Sequence, residues 1–258
     1  MLTTNLQRGL AMLDLLCRAQ DGLPMFKMAD PLGIPRSTAH RVLAELSEAG
    51  FVTQENEQAP YRLTLKLAQM GMSYLNVAGV TNVIQPVLHR LAAETKELAR
   101  MSIVDGKRLV WVSKVQGSRT GLRYDANAEP GEEVVLFSSA TGHAWLATLP
   151  ENEALEIVMR QGFDPENRGP NAPKSATELL ELLAKVRRKG YALVHETNEH
   201  GISAVAAPVW NKPANRVVGV VTIAGPTSRM DPEKIEAIAQ QVLASADELS
   251  KVSFGLVR

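Results

Sequence analysis

The sequence predicts an α+β chain in two parts: a winged helix-turn-helix joined by a linker helix to an antiparallel sheet flanked by helices. Three observations carry this. Residues 33–50, GIPRSTAHRVLAELSEAG, show helical period between a proline and a glycine. Two short strand-like runs follow at hairpin spacing. Farther on, a series of strand-like runs has helical patterns before and after it, the order of an α+β domain.

Each element follows from local rules. Leu6, Leu10, Leu13 and Leu16/Cys17 recur at helical spacing and predict a first helix, broken by Asp21-Gly22. Cys17 reads as a small buried residue of that helix. Residues 25–32 predict a short second helix. Pro31 lies inside it, removes a hydrogen bond and clashes one turn back, so the helix is expected to be very short or to end near Asp30. Gly33 makes the turn, Pro35 suits a helix start, and Gly50 suits a left-handed helix end. Two helices joined by a short glycine-containing turn are a helix-turn-helix. Phe51-Val52-Thr53 and Pro60-Tyr61-Arg62-Leu63, with a polar tract between them, read as a hairpin wing. Leu65, Leu67, Ala68, Met70, Met72, Tyr74 and Leu75 continue as a helix more apolar than a solvated linker requires, which predicts packing against a second subunit. NVAGVTN, residues 76–82, is the expected hinge between a domain of residues 1–76 and one of residues 80–258.

In the second domain, residues 83–100 read as a helix containing Val87, Leu91 and Leu98. Residues 101–104 and 109–115 read as strands joined at Asp105-Gly106, a strong hairpin signal. Residues 134–137 read as a third strand. Ser138-Ser139 opens a helix over 140–149, which Pro150 stops. Ser175-Ala176-Thr177-Glu178 has the form of a capping box before a helix that Gly190 closes. Strands follow at 191–195, 203–209 and 217–224, and Asp231-Pro232 starts a last helix towards Val252.

Within residues 33–50, Ala39, Val42, Leu43 and Leu46 form one apolar stripe. The other face carries Arg36, Ser37, His40, Arg41, Ala44 and Ser47. It has two guanidiniums, short polar groups and no bulky apolar residue, which suits a major groove: arginine forks onto guanine O6/N7, and serine and histidine meet base edges. Thr38 either joins this face or bonds the backbone of the first helical turn, and Arg62 on the wing is placed for a phosphate. The formal net charge is zero, so a nucleic-acid partner is not advertised by composition and must rest on local placement. With so few local positives, a dimer reading two half-sites is expected. A single cysteine excludes an internal disulfide framework and suits a reducing cytoplasm. No apolar run is long enough to span a membrane, and no signal pattern opens the chain.

Over essentially its whole length the chain resembles the IclR family of transcriptional regulators. The likeness is carried by LQRGLAMLDLL, GIPRSTAHRVLAELSEAGFV, YRLTLKLAQMG, ATGHAWLA at 140–147, GYALVHETNEHGISAVAAPV at 190–209 and VVGVVTIAGPTSR at 217–229. It implies a winged helix-turn-helix for a double-stranded DNA operator. It also implies a GAF-like domain for a small effector, usually an organic acid, and homodimers that often pair into homotetramers. The chain departs from the family pattern at Pro31, Thr64, Val135-Leu136-Phe137 and His143. At effector-pocket positions the family often has a carboxylate, a cysteine and serines; here they read Val194, Ala204, Thr222 and Ala224, implying a less polar pocket.

Val194, Ala204, Ala224, Leu122, Leu136, Met101 and Trp111 are therefore candidate walls, joined by Thr222. Ser138, Ser139, Ala140 and Thr141 open a helix whose N–H groups can seat a carboxylate. An aromatic or otherwise hydrophobic carboxylic acid, or a related phenol, fits such a pocket. No cofactor is implied. The alternatives are an enzyme acting on a small acid with His143 or His195 as general base, and a winged helix used for protein contact. His195 and His200 are five residues apart, one too many for the metalloprotease pattern, and read as loop. GSRTG at 117–121 lacks the ending of a phosphate loop, and no G-x-S-x-G is present.

Overall fold

The structure, a computed structural model, describes residues 2, 4–77, 80–118, 122–125 and 130–252. It divides into two compact units, Met1–Leu75 and Asn76–Arg258. The proposed hinge includes residues 78 and 79, and the GSRTG loop includes 119–121; those positions lie outside the described residues.

In the N-terminal unit, α1 (Asn5–Cys17) starts in a capping box: the Thr4 hydroxyl accepts from Gln7 N–H while the Gln7 side chain accepts from Thr4 N–H. Its buried stripe is Gly9, Met12, Leu13 and Leu16. The expected stripe is thus rotated: Leu6 and Leu10 are exposed, and so is Cys17, at the last helical residue where the core ends. Helix α2 (Met25–Leu32) is short, eight residues, and includes Pro31. Pro31 costs the one bond that its missing N–H would make to Lys27 O, and the helix ends one residue later, at Leu32. Gly33, at φ 62°, then caps the helix, and Ile34 N–H closes back on Ala29 O at 3.0 Å. Helix α3 (Arg36–Glu48) starts directly after Pro35. Ala39, Val42 and Leu43 bury against Met12, Leu13, Leu16, Met28 and Ala29. The wing pairs β1 (Val52–Thr53) with β2 (Arg62–Leu63), antiparallel, and Gln54 staples its loop by donating to Ala59 O at 2.8 Å. Helix α4 (Lys66–Val77) buries none of its residues.

In the C-terminal unit a π turn (Val80–Ile84) leads into α5 (Gln85–Thr95). The helix expected over 83–100 stops at Thr95 because Lys96 turns left-handed, at φ 61°, and the chain becomes β3 (Leu98–Asp105). Strand β4 (Arg108–Gln116) returns across a turn at Gly106, whose φ is 60°. Strands β5 (Ala192–His195), β6 (Ile202–Asn211) and β7 (Arg216–Pro226) complete a five-stranded antiparallel sheet of order β4-β3-β7-β6-β5.

Residues 134–137 are not a strand. One bridge joins Glu133 to Val110, Val134 N–H donates to Leu109 O at 2.8 Å, and the chain then turns into α6 (Ala140–Leu146). An apolar run of this length signals burial but does not separate a strand from a packed turn. Beyond Pro150 lies α7 (Glu151–Gln161), which the sequence reading did not separate out. Helix α8 (Ala176–Lys189) is capped by the Ser175 hydroxyl and ends at Gly190, but the Glu178 carboxylate reaches Lys174 N–H, not Ser175 N–H, so the box is not reciprocal. Helix α9 (Pro232–Ser250) closes the unit. Helices α5 and α9 pack on one face of the sheet, while α6, α7 and α8 share a core with Leu109, Trp111, Ala192, Ala206 and Val220 on the other.

Candidate functional site

Two places collect the expected functional residues. The first is α3. Arg36, Ser37, His40 and Arg41 are all exposed, as are Ala44 and Ser47, on the side away from the buried Ala39, Val42 and Leu43. Thr38 is half-buried. No side chain caps the start of α3, since its N-cap is Pro35. Arg36 and His40 border a cleft shared with Pro24, Phe26 and the wing residues Gln54 and Gln58. Arg41 is steadied by Asn5 of α1, whose Oδ1 accepts from it at 3.5 Å. Arg62 is held harder: its Nε donates to Asp21 O at 3.2 Å, and its Nη1 lies 3.5 Å from a Glu55 carboxylate oxygen.

The second is a cavity of the C-terminal unit between the sheet, the start of α6 and the segment after β5. It holds roughly 630 Å³ of space not filled by atoms, part of it open to solvent. Strand register places its wall. Val194, Ala204 and Ala224 stand side by side across β5, β6 and β7, and Thr222 pairs with Arg100 of β3. Trp111 joins them through a β-bulge. Between Met101 and Ser102 the β4 register slips by one, so Trp111 opposes Ser102 and turns to the Arg100 face.

Of the residues expected here, Trp111, Ser139, Ala140, Thr141, Val194, Ala204, Thr222 and Ala224 line the cavity. Four do not. Met101 alternates to the opposite face, opposite Val221. Leu122 is exposed, and its carbonyl accepts from Arg229. Leu136 is packed in the core. Ser138 is fully buried and bonds Asn198 Oδ1 at 2.8 Å. The α6 N-terminus is also partly occupied: Gly142 N–H donates to Ser139 Oγ at 2.9 Å, and the Thr141 and Thr222 hydroxyls pair at 2.8 Å.

The cavity is more polar than expected, because Arg100, Tyr124, Glu133, Asn198 and Glu199 also line it. The Tyr124 phenol donates to Glu199 at 2.7 Å, and burial, then this contact, pushes its pKa well above the ordinary value, so it remains a donor. These residues come from loops and from a strand first read as helix. Of these, only Asn198 and Glu199 lie in a segment that the sequence singles out, HETNEHG, which reads as loop.

Neither candidate general base lies in the cavity. His195 is exposed at the end of β5, with Nδ1 3.1 Å from Ser203 Oγ. His143 is 2% exposed and its Nε2 bonds Phe137 O at 2.6 Å, so that nitrogen carries the proton and the ring anchors the turn before α6. Burial pushes the His143 pKa below its ordinary 6.5. The unfolded chain therefore takes up this proton first, and stability is lost as pH falls below about 6.5. Denaturant titrations from pH 7.5 to 5.5 should show wild type losing up to about 1 kcal/mol per pH unit more than His143→Gln, which keeps a donor without the charge. Equal pH slopes would refute the assignment.

Comparison with known proteins agrees with this architecture. Residues 5–56 match the IclR helix-turn-helix domain, and residues 72–251 match the bacterial transcriptional regulator IclR C-terminal family. The chain is 28% identical to the HTH-type transcriptional regulator XynR of Escherichia coli over 96% of both chains. The crystal structure of the Thermotoga maritima IclR superposes with a TM-score of 0.74 at 26% identity, covering 95% of this chain and 97% of that one. An IclR homolog from Microbacterium hydrocarbonoxydans, solved in complex with 4-hydroxybenzoate, has the same fold: TM-score 0.77, 17% identity, 96% and 100% covered. Among the described residues no helix is long and apolar enough to cross a membrane. Relatives matched over nearly the whole chain carry the names of transcriptional regulators and repressors. The chain belongs to the IclR family of transcriptional regulators, with an N-terminal DNA-binding helix-turn-helix and a C-terminal effector-binding domain.

Proposed function

We propose that this regulator works as a homodimer, or a pair of dimers, that inserts α3 into the major groove of its operator and responds to an aromatic or otherwise hydrophobic carboxylic acid. The observation that carries the DNA half is the α3 face: Arg36, Ser37, His40 and Arg41 are exposed together, backed by a packed stripe. Arginine reads guanine, serine and histidine meet base edges, and the uncapped start of the helix suits a phosphate. Thr38 and Arg62 are backbone contacts in this reading, Arg62 the weaker because Glu55 already offsets its charge. The exposed apolar side chains Met70, Met72 and Tyr74 of α4 support pairing with a second copy. Binding to DNA upstream of its own gene should weaken steeply as salt rises, since displaced counterions are part of the affinity. Salt-independent or absent binding in a gel-shift titration would overturn this half.

The ligand half rests on Val194, Ala204, Ala224 and Trp111, which give the cavity an apolar body with polar groups at its edges. A protein of the same fold accommodates 4-hydroxybenzoate, an aromatic carboxylate. In a thermal-shift screen of aromatic and small aliphatic acids, a ligand at 100 times its Kd should stabilise by about 2.7 kcal/mol. A small polar acid binding far more tightly than every aromatic one would overturn the ligand class.

A further inference from the structure

We infer that Arg100 is the specificity-determining cation of the cavity: it pairs with the effector's carboxylate and makes the site select acids over their neutral analogues. This rests on the reading of the cavity as the effector site. Arg100 is the only lysine or arginine among the described lining residues, and it is 6% exposed. Its guanidinium carbon lies 3.4 Å from the centroid of the Trp111 ring. Stacking uses the face of the guanidinium plane, whereas its N–H donors lie in the edge, the part a carboxylate engages. The bulge at Met101/Ser102 is what brings Trp111 to this side of the sheet, so the stack is built into the strand pairing.

Polar groups stand beside Arg100. Arg100 pairs in register with Thr222, whose hydroxyl meets Thr141 at the start of α6. Two carboxylates share the described lining: Glu133 accepts from Arg108 at 3.1 Å, which offsets its charge, and Glu199 accepts from the neutral Tyr124 phenol at 2.7 Å. A buried, permanently charged guanidinium strengthens any anion it meets, because little water competes. The amide of the same acid offers no charge there, so the discrimination is against charge, not shape.

The test is isothermal titration of the full-length protein with benzoate, 4-hydroxybenzoate, phenylacetate and cinnamate, each against its own primary amide. Wild type should bind at least one acid roughly 10- to 100-fold more tightly than its amide. Arg100→Met should bind that acid weaker by a similar factor, while Arg100→Lys retains part of the affinity. The acid–amide comparison needs no variant, so it stands even if Arg100→Met folds poorly. Equal binding of acid and amide by wild type, or of the acid by wild type and folded Arg100→Met, would overturn the role of Arg100 and leave the cavity as the effector site. No binding of any acid by wild type would overturn both.

Discussion

Replacing Arg36 or Arg41 with alanine is expected to weaken operator binding by about 1–3 kcal/mol per half-site if the side chain reads a base, and by about twice that in a dimer. The two positions lie on one exposed face, but their settings differ. Arg41 is oriented by Asn5, so part of its side-chain entropy is already lost before DNA arrives. Arg36 stands at the first helical position, beside the uncapped N-terminus, where the helix dipole also favours a phosphate. The salt dependence separates base from phosphate. Losing a phosphate contact should reduce the slope of log K against log salt by roughly 0.9 and weaken all sequences alike. Losing a base contact should leave the slope and relax discrimination at one base pair. Anisotropy titrations at several salt concentrations check this; wild-type affinity and slope in both variants would remove α3 from the interface.

Gly142→Ala should be the most damaging single-methyl substitution near the effector cavity. A Cβ at Gly142 would lie 2.0 Å from Leu136 O and 2.5 Å from Leu136 Cα, both backbone atoms that no rotamer change can clear. The Leu136 segment is also pinned. Its N–H donates to Gln161 Oε1 at 2.8 Å, Gln161 Nε2 donates to Val134 O at 2.8 Å, and His143 holds Phe137 O. Overpacking of this kind costs on the order of 3 kcal/mol, which lowers the melting temperature by roughly 6–12 °C for a unit of this size. Gly71→Ala is the control, because nothing lies within 4 Å of its Cβ and alanine favours a helix. A shift under about 2 °C for Gly142→Ala would show that the contact between α6 and residues 134–137 yields easily.

Much of the fold follows from rules that act over one or two turns of chain. Pro35, Gly33 and the stripe Ala39, Val42, Leu43 place α3 and hence its polar face, because period and turn residues are local properties. The Gly106 turn and strands β5 to β7 are legible for the same reason, and the family likeness pointed to Val194, Ala204, Thr222 and Ala224, which line the cavity. Tertiary context decided the rest. Leu6 and Leu10 have helical spacing, yet the core sits against the Gly9, Met12 and Leu13 side of α1, and spacing alone does not say which of two adjacent stripes a neighbour covers. Val134, Leu136 and Phe137 are apolar because they are buried, and burial is indifferent to whether the backbone is strand or turn. The sequence pattern places Arg100 at the end of a helix. It became a cavity residue because Lys96 ends that helix and β3 pairs Arg100 with Thr222 of the distant β7; a one-residue slip in the β3–β4 pairing then sets Trp111 beside it. Local sequence thus determined most of the helices and strands and which face of α3 stays polar. The pairing of distant strands, which no short window contains, decided which charge enters the cavity.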